Sequence, residues 1–174
     1  MRIDLGNALA GVADPGVPRE TLDRLDESVR RAHDRIETGR ATGEFGYAAL
    51  NLPRRTDPRK IRRRADQFSD AETVLTVGIG GSALGATTLT DALGLDGHRV
   101  LDNVDPEHTR RTIEAIDLDR TVLHVVSRSG TTVETLSNFL LVREAMVDAD
   151  VDWTDRTVVT TGEAGPLRRL SDRH

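Results

Sequence analysis

Val74-Leu75-Thr76-Val77-Gly78-Ile79-Gly80-Gly81-Ser82-Ala83-Leu84-Gly85 is the stretch on which the fold turns. Four residues of near-continuous apolar character have the length and composition of a strand buried on both faces of a parallel sheet. Glycines and a serine follow, and helix-forming residues run on from Ala83 to Leu93. The order is strand, glycine loop, helix. Glycine admits positive φ and lets backbone N–H groups come close to an anion, which the following helix N-terminus favours. Without a ligand, the same loop reads as a tight strand-to-helix turn.

Working outward, the alternation repeats. Arg99–Leu101 is a second strand, followed by Asn103-Val104-Asp105-Pro106 and a helix over Glu107–Ile116. Thr121–Val126 is a third strand, and Val133–Val147 a strongly amphipathic helix. Arg156–Thr160 is a fourth strand and Pro166–Asp172 a short last helix. Four strand–helix units predict an α/β fold, a parallel sheet flanked by helices on both faces. Upstream the pattern is different. Residues 1–18 read as a loose lead-in with Gly11, Pro15, Gly16 and Pro18. A helix starts near Pro18, with Leu22, Leu25, Val29, Ala32 and Ile36 on one face, and Gly39 and Gly43 end it. Phe45–Pro53 reads as irregular, and Pro58 opens a second, basic helix that runs to about Phe68. The expected division is an N-terminal helical segment, residues 1–70, packing on an α/β domain, residues 71–174.

Composition narrows the class. The 174 residues are 37% hydrophobic and 30% charged, as in a soluble globular protein. No apolar run approaches the roughly 18 residues that span a bilayer. Met1-Arg2-Ile3-Asp4-Leu5 carries an early acid and no apolar core, unlike a secretory signal. There is no cysteine, hence no disulfide, thiolate metal site or cysteine nucleophile, which is compatible with a reducing cytoplasm. The 24 cations and 29 acids leave a net charge of −5. Lys60 is the one lysine beside 23 arginines, and aspartate outnumbers glutamate 19 to 10. Such a surface fits adaptation to salt, in which case stability holds from low to molar KCl; codon usage is the other explanation.

One run opposes the net charge: Arg54, Arg55, Arg59, Lys60, Arg62, Arg63 and Arg64. It holds no aromatic residue for base stacking, and a solvated helix face is the commoner reading of such a run. No nucleic-acid partner is expected.

A second loop carries more chemistry than the first. In Ser127-Arg128-Ser129-Gly130-Thr131-Thr132-Val133-Glu134-Thr135 five hydroxyls, a glycine and an arginine follow a strand. Hydroxyls, free amides and a cation at a helix N-terminus make a cradle for a phosphate monoester. A helix cap, with Thr131 or Thr132 as N-cap and Glu134 in the first turn, accounts for one hydroxyl and the acid but not for the rest. A dinucleotide site is the competing chemistry. Gly78, Gly80 and Ala83 have loosely its spacing, and Asp102 stands where a ribose-binding acid would. The second hydroxyl loop, which a dinucleotide does not require, counts against it.

The two loops together carry a resemblance. Val77–Gly85 resembles the first signature of the glucose-6-phosphate isomerase (phosphoglucose isomerase) family. Ser127–Thr135 is similar to its sugar-phosphate loop, which the wider sugar isomerase (SIS) fold shares. Asn103-Val104-Asp105, and Gly43-Glu44-Phe45 leading to Leu52-Pro53, are similar too, so the likeness covers about residues 40–165. It implies the SIS fold, a flavodoxin-like three-layer α/β/α arrangement preceded by N-terminal helices. It implies that Ser127, Ser129, Thr132 and Thr135 hold the substrate phosphate, helped by the backbone from Arg128 through Gly130 to Thr131, and that Gly81 and Ser82 approach the sugar. Arg128 stands where many members carry lysine.

The resemblance also implies what the chain does not hold. Aldose–ketose isomerisation needs a base for the C2-to-C1 proton, a group that opens the ring and a cation for the enediolate. In the family these are a glutamate, a histidine, a lysine and an arginine, all beyond the stretch of likeness. No catalytic residue is therefore expected in the chain, which reads as an N-terminal fragment of an isomerase that pairs into a homodimer when full length and is inactive alone. Glu134 is better read as a cap and loop brace, and Glu163, which ends a strand and could face the cleft, is not expected to be catalytic. The alternative is a non-catalytic phosphosugar-binding SIS module, with a dinucleotide-binding Rossmann domain behind it. His33, His98, His108, His124 and His174 form no close ligand pair, and His124 lies in an apolar strand, so neither a metal nor a cofactor is expected.

Overall fold

The computed structural model describes residues 4–44 and 46–174. Most of the Met1–Leu5 reading, and Phe45 of the family-like segment, lie outside the described residues. The chain forms two compact units, residues 1–61 and 62–174.

In the first unit a helical turn at Gly6–Ala8 and a bridge between Leu9 and Val17 replace the expected loose lead-in. Helix α1 spans Arg19–Thr42 after Pro18, and Gly43 ends it in the left-handed region at φ 72°. Gly39 does not end the helix: it is buried inside it, where any side chain would run into the Tyr47 ring. The apolar stripe is present but open, with Leu25 50% and Val29 62% exposed. The segment expected to be irregular holds a 3-10 turn at Ala48–Asn51 and a short helix α2, Leu52–Arg55. Pro53 sits in its first turn, where a missing N–H costs nothing. Helix α3, Pro58–Ala65, carries the basic run onward and gives way to a 3-10 turn, Asp66–Phe68. Arg54, Arg55, Arg59, Lys60, Arg62, Arg63 and Arg64 are all exposed.

The second unit is built on four strands, β1 Thr73–Val77, β2 His98–Leu101, β3 Thr121–Ser127 and β4 Thr157–Thr161. All pair in parallel in the order β2-β1-β3-β4. Between and after them run α4 Gly81–Ala92, α5 Pro106–Glu114, α6 Val133–Asp148 and α7 Pro166–Ser171. Alternate strand residues, Leu75, Val77, Leu101, Leu123 and Val125, form one buried cluster with Phe139, Val142 and Met146 of α6 and Leu167 of α7. The other alternation, Thr76 and His98, meets Thr90 of α4 through hydrogen bonds. The sheet is thus the middle layer of three.

Helix α6 is not the one-sided helix its sequence predicts. Phe139, Val142 and Met146 are buried, yet Val133, Leu140, Leu141 and Val147 are each about half exposed or more, from 47% to 69%. Apolar residues occupy both sides of this helix, and only one side has a partner within the described residues.

Candidate active site

The strand order fixes where a ligand goes. From β1 the chain crosses to β2 on one side, then returns through α5 to β3 on the other. The crossovers diverge at the carboxyl ends of β1 and β3, and such a switch point opens a crevice. The glycine loop follows β1 and the hydroxyl loop follows β3, so the fold brings the two sequence-derived loops side by side. Gly78 marks how closely: a Cβ there would stand 3.0 Å from the Val126 carbonyl of β3 and 3.0 Å from Cβ of Ser82. The same order argues against a dinucleotide domain, whose third strand lies beyond the second rather than across the first.

In the β1 loop Gly81 is exposed at the first position of α4, and Ser82 is half-buried with its N–H donating to the Ile79 carbonyl at 3.2 Å. No side chain caps α4. This loop presents backbone and little else.

The β3 loop is wired through its hydroxyls. The Ser127 hydroxyl accepts from the Gly130 N–H at 3.1 Å and donates to Thr132 Oγ1 at 3.2 Å. Ser129 Oγ accepts from the Thr131 N–H at 3.2 Å and from the Thr131 hydroxyl at 3.1 Å, and lies 3.4 Å from Thr132 Oγ1. Gly130 turns the chain at φ 66°, a conformation that L side chains rarely adopt, and a Cβ there would stand 3.0 Å from Thr161 Oγ1.

Thr132 occupies the N-cap position of α6, yet no side chain makes the cap hydrogen bond. Its hydroxyl is turned to Ser127 and Ser129 instead. The first-turn N–H groups of α6, at the positive end of the helix dipole, are therefore left for an external acceptor. In that first turn Thr135 is 1% exposed, and its buried hydroxyl has no partner among the described residues. A buried hydroxyl left unpaired costs about 1–3 kcal/mol. An incoming phosphate oxygen is the kind of acceptor it lacks.

The site residues named from the sequence separate by role. Arg128, Ser129 and Thr131 are exposed, and Thr132 is half-buried. Ser127 is 2% exposed, and its carbonyl accepts from the Thr161 hydroxyl at 2.7 Å, so it pins the loop from below. Sequence reasoning missed the strap that completes this pin. Gly162 N–H donates to the Arg128 carbonyl at 3.1 Å, and Leu167 N–H to the Gly130 carbonyl at 3.2 Å. The position of Thr161-Gly162 at the next strand end was the available signal. Glu134 and Glu163 are both exposed. Away from the crevice, burial pushes His98 and His124 below the usual histidine range. His98 bridges Thr90 and Thr76 at 3.1 and 3.0 Å, and His124 meets Thr160 at 3.0 Å. No cluster of three or more histidine or acidic side chains among the described residues could hold a metal ion. No helix among them is long and apolar enough to cross a membrane.

A parallel sheet between helical layers, with a hydroxyl loop beside a glycine loop at its switch point, is the α/β architecture that the sequence resemblance implied. Comparison with known proteins narrows the class. Residues 62–162 match the model of the family described as phosphoglucose isomerase, and the chain belongs to that family. It is 62% identical to a probable glucose-6-phosphate isomerase of Haloarcula marismortui, over the whole of this chain and 40% of that protein. A protein of the same description in Natronomonas pharaonis is 60% identical, again over the whole chain and 40% of its own length. Among solved structures, a hypothetical protein of Thermus thermophilus is 35% identical and superposes with a TM-score of 0.75, over 88% of this chain and 38% of that one. A glucose-6-phosphate isomerase of Chlamydia trachomatis is 26% identical with a TM-score of 0.58, over 73% of this chain and 24% of that one. The chain thus spans about 40% of the length of the curated relatives it matches.

Proposed function

We propose that the chain is the phosphate-binding part of a cytoplasmic glucose-6-phosphate isomerase, which interconverts D-glucose 6-phosphate and D-fructose 6-phosphate in glycolysis and gluconeogenesis. One observation carries this reading. The uncapped N-terminus of α6, the Ser129–Thr132 hydroxyl pair and the unpartnered Thr135 hydroxyl converge at the switch point, where a phosphate monoester satisfies all three. In this reading Ser127, Ser129, Thr132 and Thr135 form the cradle with the backbone from Arg128 through Gly130 to Thr131. The exposed backbone at Gly81 and the half-buried Ser82 face the sugar.

The proton-transferring groups come from the part of the enzyme outside this chain. Residues 71–174 are its first SIS domain, preceded by a helical segment, and the full-length enzyme is a homodimer that uses neither metal nor cofactor. The chain alone binds and does not turn over.

Thermal unfolding with ligands tests this. Glucose 6-phosphate or fructose 6-phosphate should protect the chain more than glucose does, by up to about 2.7 kcal/mol at a hundredfold excess over Kd. Ser129→Ala combined with Thr132→Ala should remove the protection. Protection by NAD and none by sugar phosphates would overturn the reading, and isomerase turnover by the chain would overturn its division of labour.

A further inference from the structure

The hydroxyl loop departs from the strand that carries it in the direction of its carbonyls. In β3 the Leu123 N–H donates to the Arg156 carbonyl at 2.8 Å, so the backbone of Leu123 faces β4. Successive residues of a strand turn their backbone groups to opposite neighbours. Val125 and Ser127 therefore face β4 as well. Val126 faces β1, and its carbonyl oxygen would stand 3.0 Å from a Cβ on Gly78. Continued by one residue, the alternation turns the Arg128 carbonyl to the β1 side and so into the crevice. A carbonyl oxygen there would repel a phosphate oxygen.

The chain does the opposite. The Arg128 carbonyl accepts from the Gly162 N–H at 3.1 Å, on the β4 side. Regular pairing would give that N–H to the Ser127 carbonyl, since Ser127 and Thr161 are register partners. The Thr161 hydroxyl has taken its place and donates to the Ser127 carbonyl at 2.7 Å. One side-chain hydroxyl thus stands in for a main-chain donor and releases the Gly162 N–H to the next carbonyl. Only glycine permits the approach, because a Cβ at Gly162 would stand 2.8 Å from the Arg128 carbonyl oxygen. In a planar trans peptide the N–H points away from the C=O. With the Arg128 carbonyl turned to β4, the Ser129 N–H points to the β1 side, where the glycine loop lies. That N–H has no acceptor among the described residues.

Resting on the phosphate-site reading above, we infer that Thr161 is a positioning residue for the phosphate. Its hydroxyl holds the Arg128–Ser129 peptide turned over, so that the crevice meets an N–H donor in place of a carbonyl oxygen. Thr161 acts through the backbone of the loop and not by contact with the ligand.

The test uses the full 174-residue chain with inorganic phosphate and with glucose 6-phosphate. Thr161→Val keeps the shape and removes the hydroxyl, so the Gly162 N–H returns to the Ser127 carbonyl and the peptide turns back. The Kd measured by calorimetry should rise about tenfold, the loss of roughly one hydrogen bond to a charged group. The factor should be the same for both ligands, because the effect lies at the phosphate they share. Thr161→Ser restores the hydroxyl and should bind within about twofold of wild type. In amide nuclear magnetic resonance spectra the Ser129 proton of wild type should move downfield as phosphate binds, and that of Thr161→Val at saturating phosphate should not. An unchanged Kd in Thr161→Val overturns the inference, as does a loss that Thr161→Ser fails to rescue. If Thr161→Val does not fold, the wild-type spectrum decides: a Ser129 amide that ignores bound phosphate overturns the inference and leaves the phosphate site standing. Binding of neither ligand by wild type would instead refute the phosphate site, and the inference with it.

Discussion

On the face of the sheet that α6 covers, Leu75, Val77, Leu101, Leu123 and Val125 have no exposure at all, and they form one apolar cluster with Phe139, Val142 and Met146. On the face that α4 covers, Val74 is 39% exposed, and the contacts are hydrogen bonds among Thr76, Thr90 and His98 and between His124 and Thr160. The same strands feed both faces, so the difference lies in which alternate residue the sequence supplies. The first face concentrates stability. The second concentrates titratable groups and open surface. The cradle sits at the end of the first, where the β4–α7 strap and α6 clamp the loop between them. The proposed phosphate site is thereby attached to the most fully buried cluster among the described residues.

The largest effect should come from the closed face. Phe139 is 1% exposed and meets Trp153 edge-on with ring centroids 5.8 Å apart. Phe139→Ala should cost about 3–5 kcal/mol, read as a shift in the urea midpoint at unchanged slope. A cost under about 1 kcal/mol would mean that the closed face does not carry the fold.

This face was the most legible part of the sequence. Val74-Leu75-Thr76-Val77 and Thr121–Val126 are short, mostly apolar, β-branched runs next to turn residues, with the length and composition of buried parallel strands. The strand ends and the two loops followed directly. What stayed hidden depends on partners distant in sequence. Ser127 reads as one more cradle hydroxyl, and its burial follows from the alignment of β4, which a local pattern does not reveal. The strap from Gly162 and Leu167 is made by backbone N–H groups, which leave no side-chain signature. Val133–Val147 reads as strongly amphipathic, but Leu140 and Leu141 are about half exposed, and which side of an apolar-rich helix meets the sheet depends on partners distant in sequence. The helical turns between Ala48 and Arg55 were masked by Pro53, a breaker inside a helix but a neutral residue in its first turn.

The open face should answer to pH. Burial holds both His98 and His124 below the ordinary value, and each carries a smaller contribution from a neighbouring charge. Asp91 opposes the shift of His98 and Arg99 adds to it, while His98 adds to the shift of His124. A histidine with a lowered folded pKa binds its proton more weakly folded than unfolded. Its contribution is complete above roughly pH 6.5 and is lost as pH falls below that value toward the folded pKa. The urea midpoint should therefore drop between about pH 7.5 and 5.5, a range above the carboxylates, by less than Phe139→Ala shifts it. The double variant His98→Asn, His124→Asn should flatten the profile in that range. An equally steep profile in the double variant would assign the pH dependence elsewhere.

The smallest effect should come from the outer side of α4, and its smallness is the point. Leu84 and Leu89 are 64% and 61% exposed, and Leu93, which caps the end of α4, is 63% exposed; Gly85 lies one turn before Leu89. An exposed leucine in a helix loses little on truncation, since alanine has the higher helix propensity and the area removed from the interior is slight. Leu89→Ala should thus change stability by no more than about 0.5 kcal/mol in either direction, as at an ordinary surface position. The measurement discriminates because a covered leucine behaves differently: burying that side chain is worth about 1.5–3 kcal/mol. A loss of that size, growing with protein concentration, would show that this face is closed by another copy of the chain in solution. A loss of that size independent of concentration would show that it is closed within the chain. Either result would erase the contrast between the two faces, since the leucines of α4 would then belong to a second core rather than to open surface.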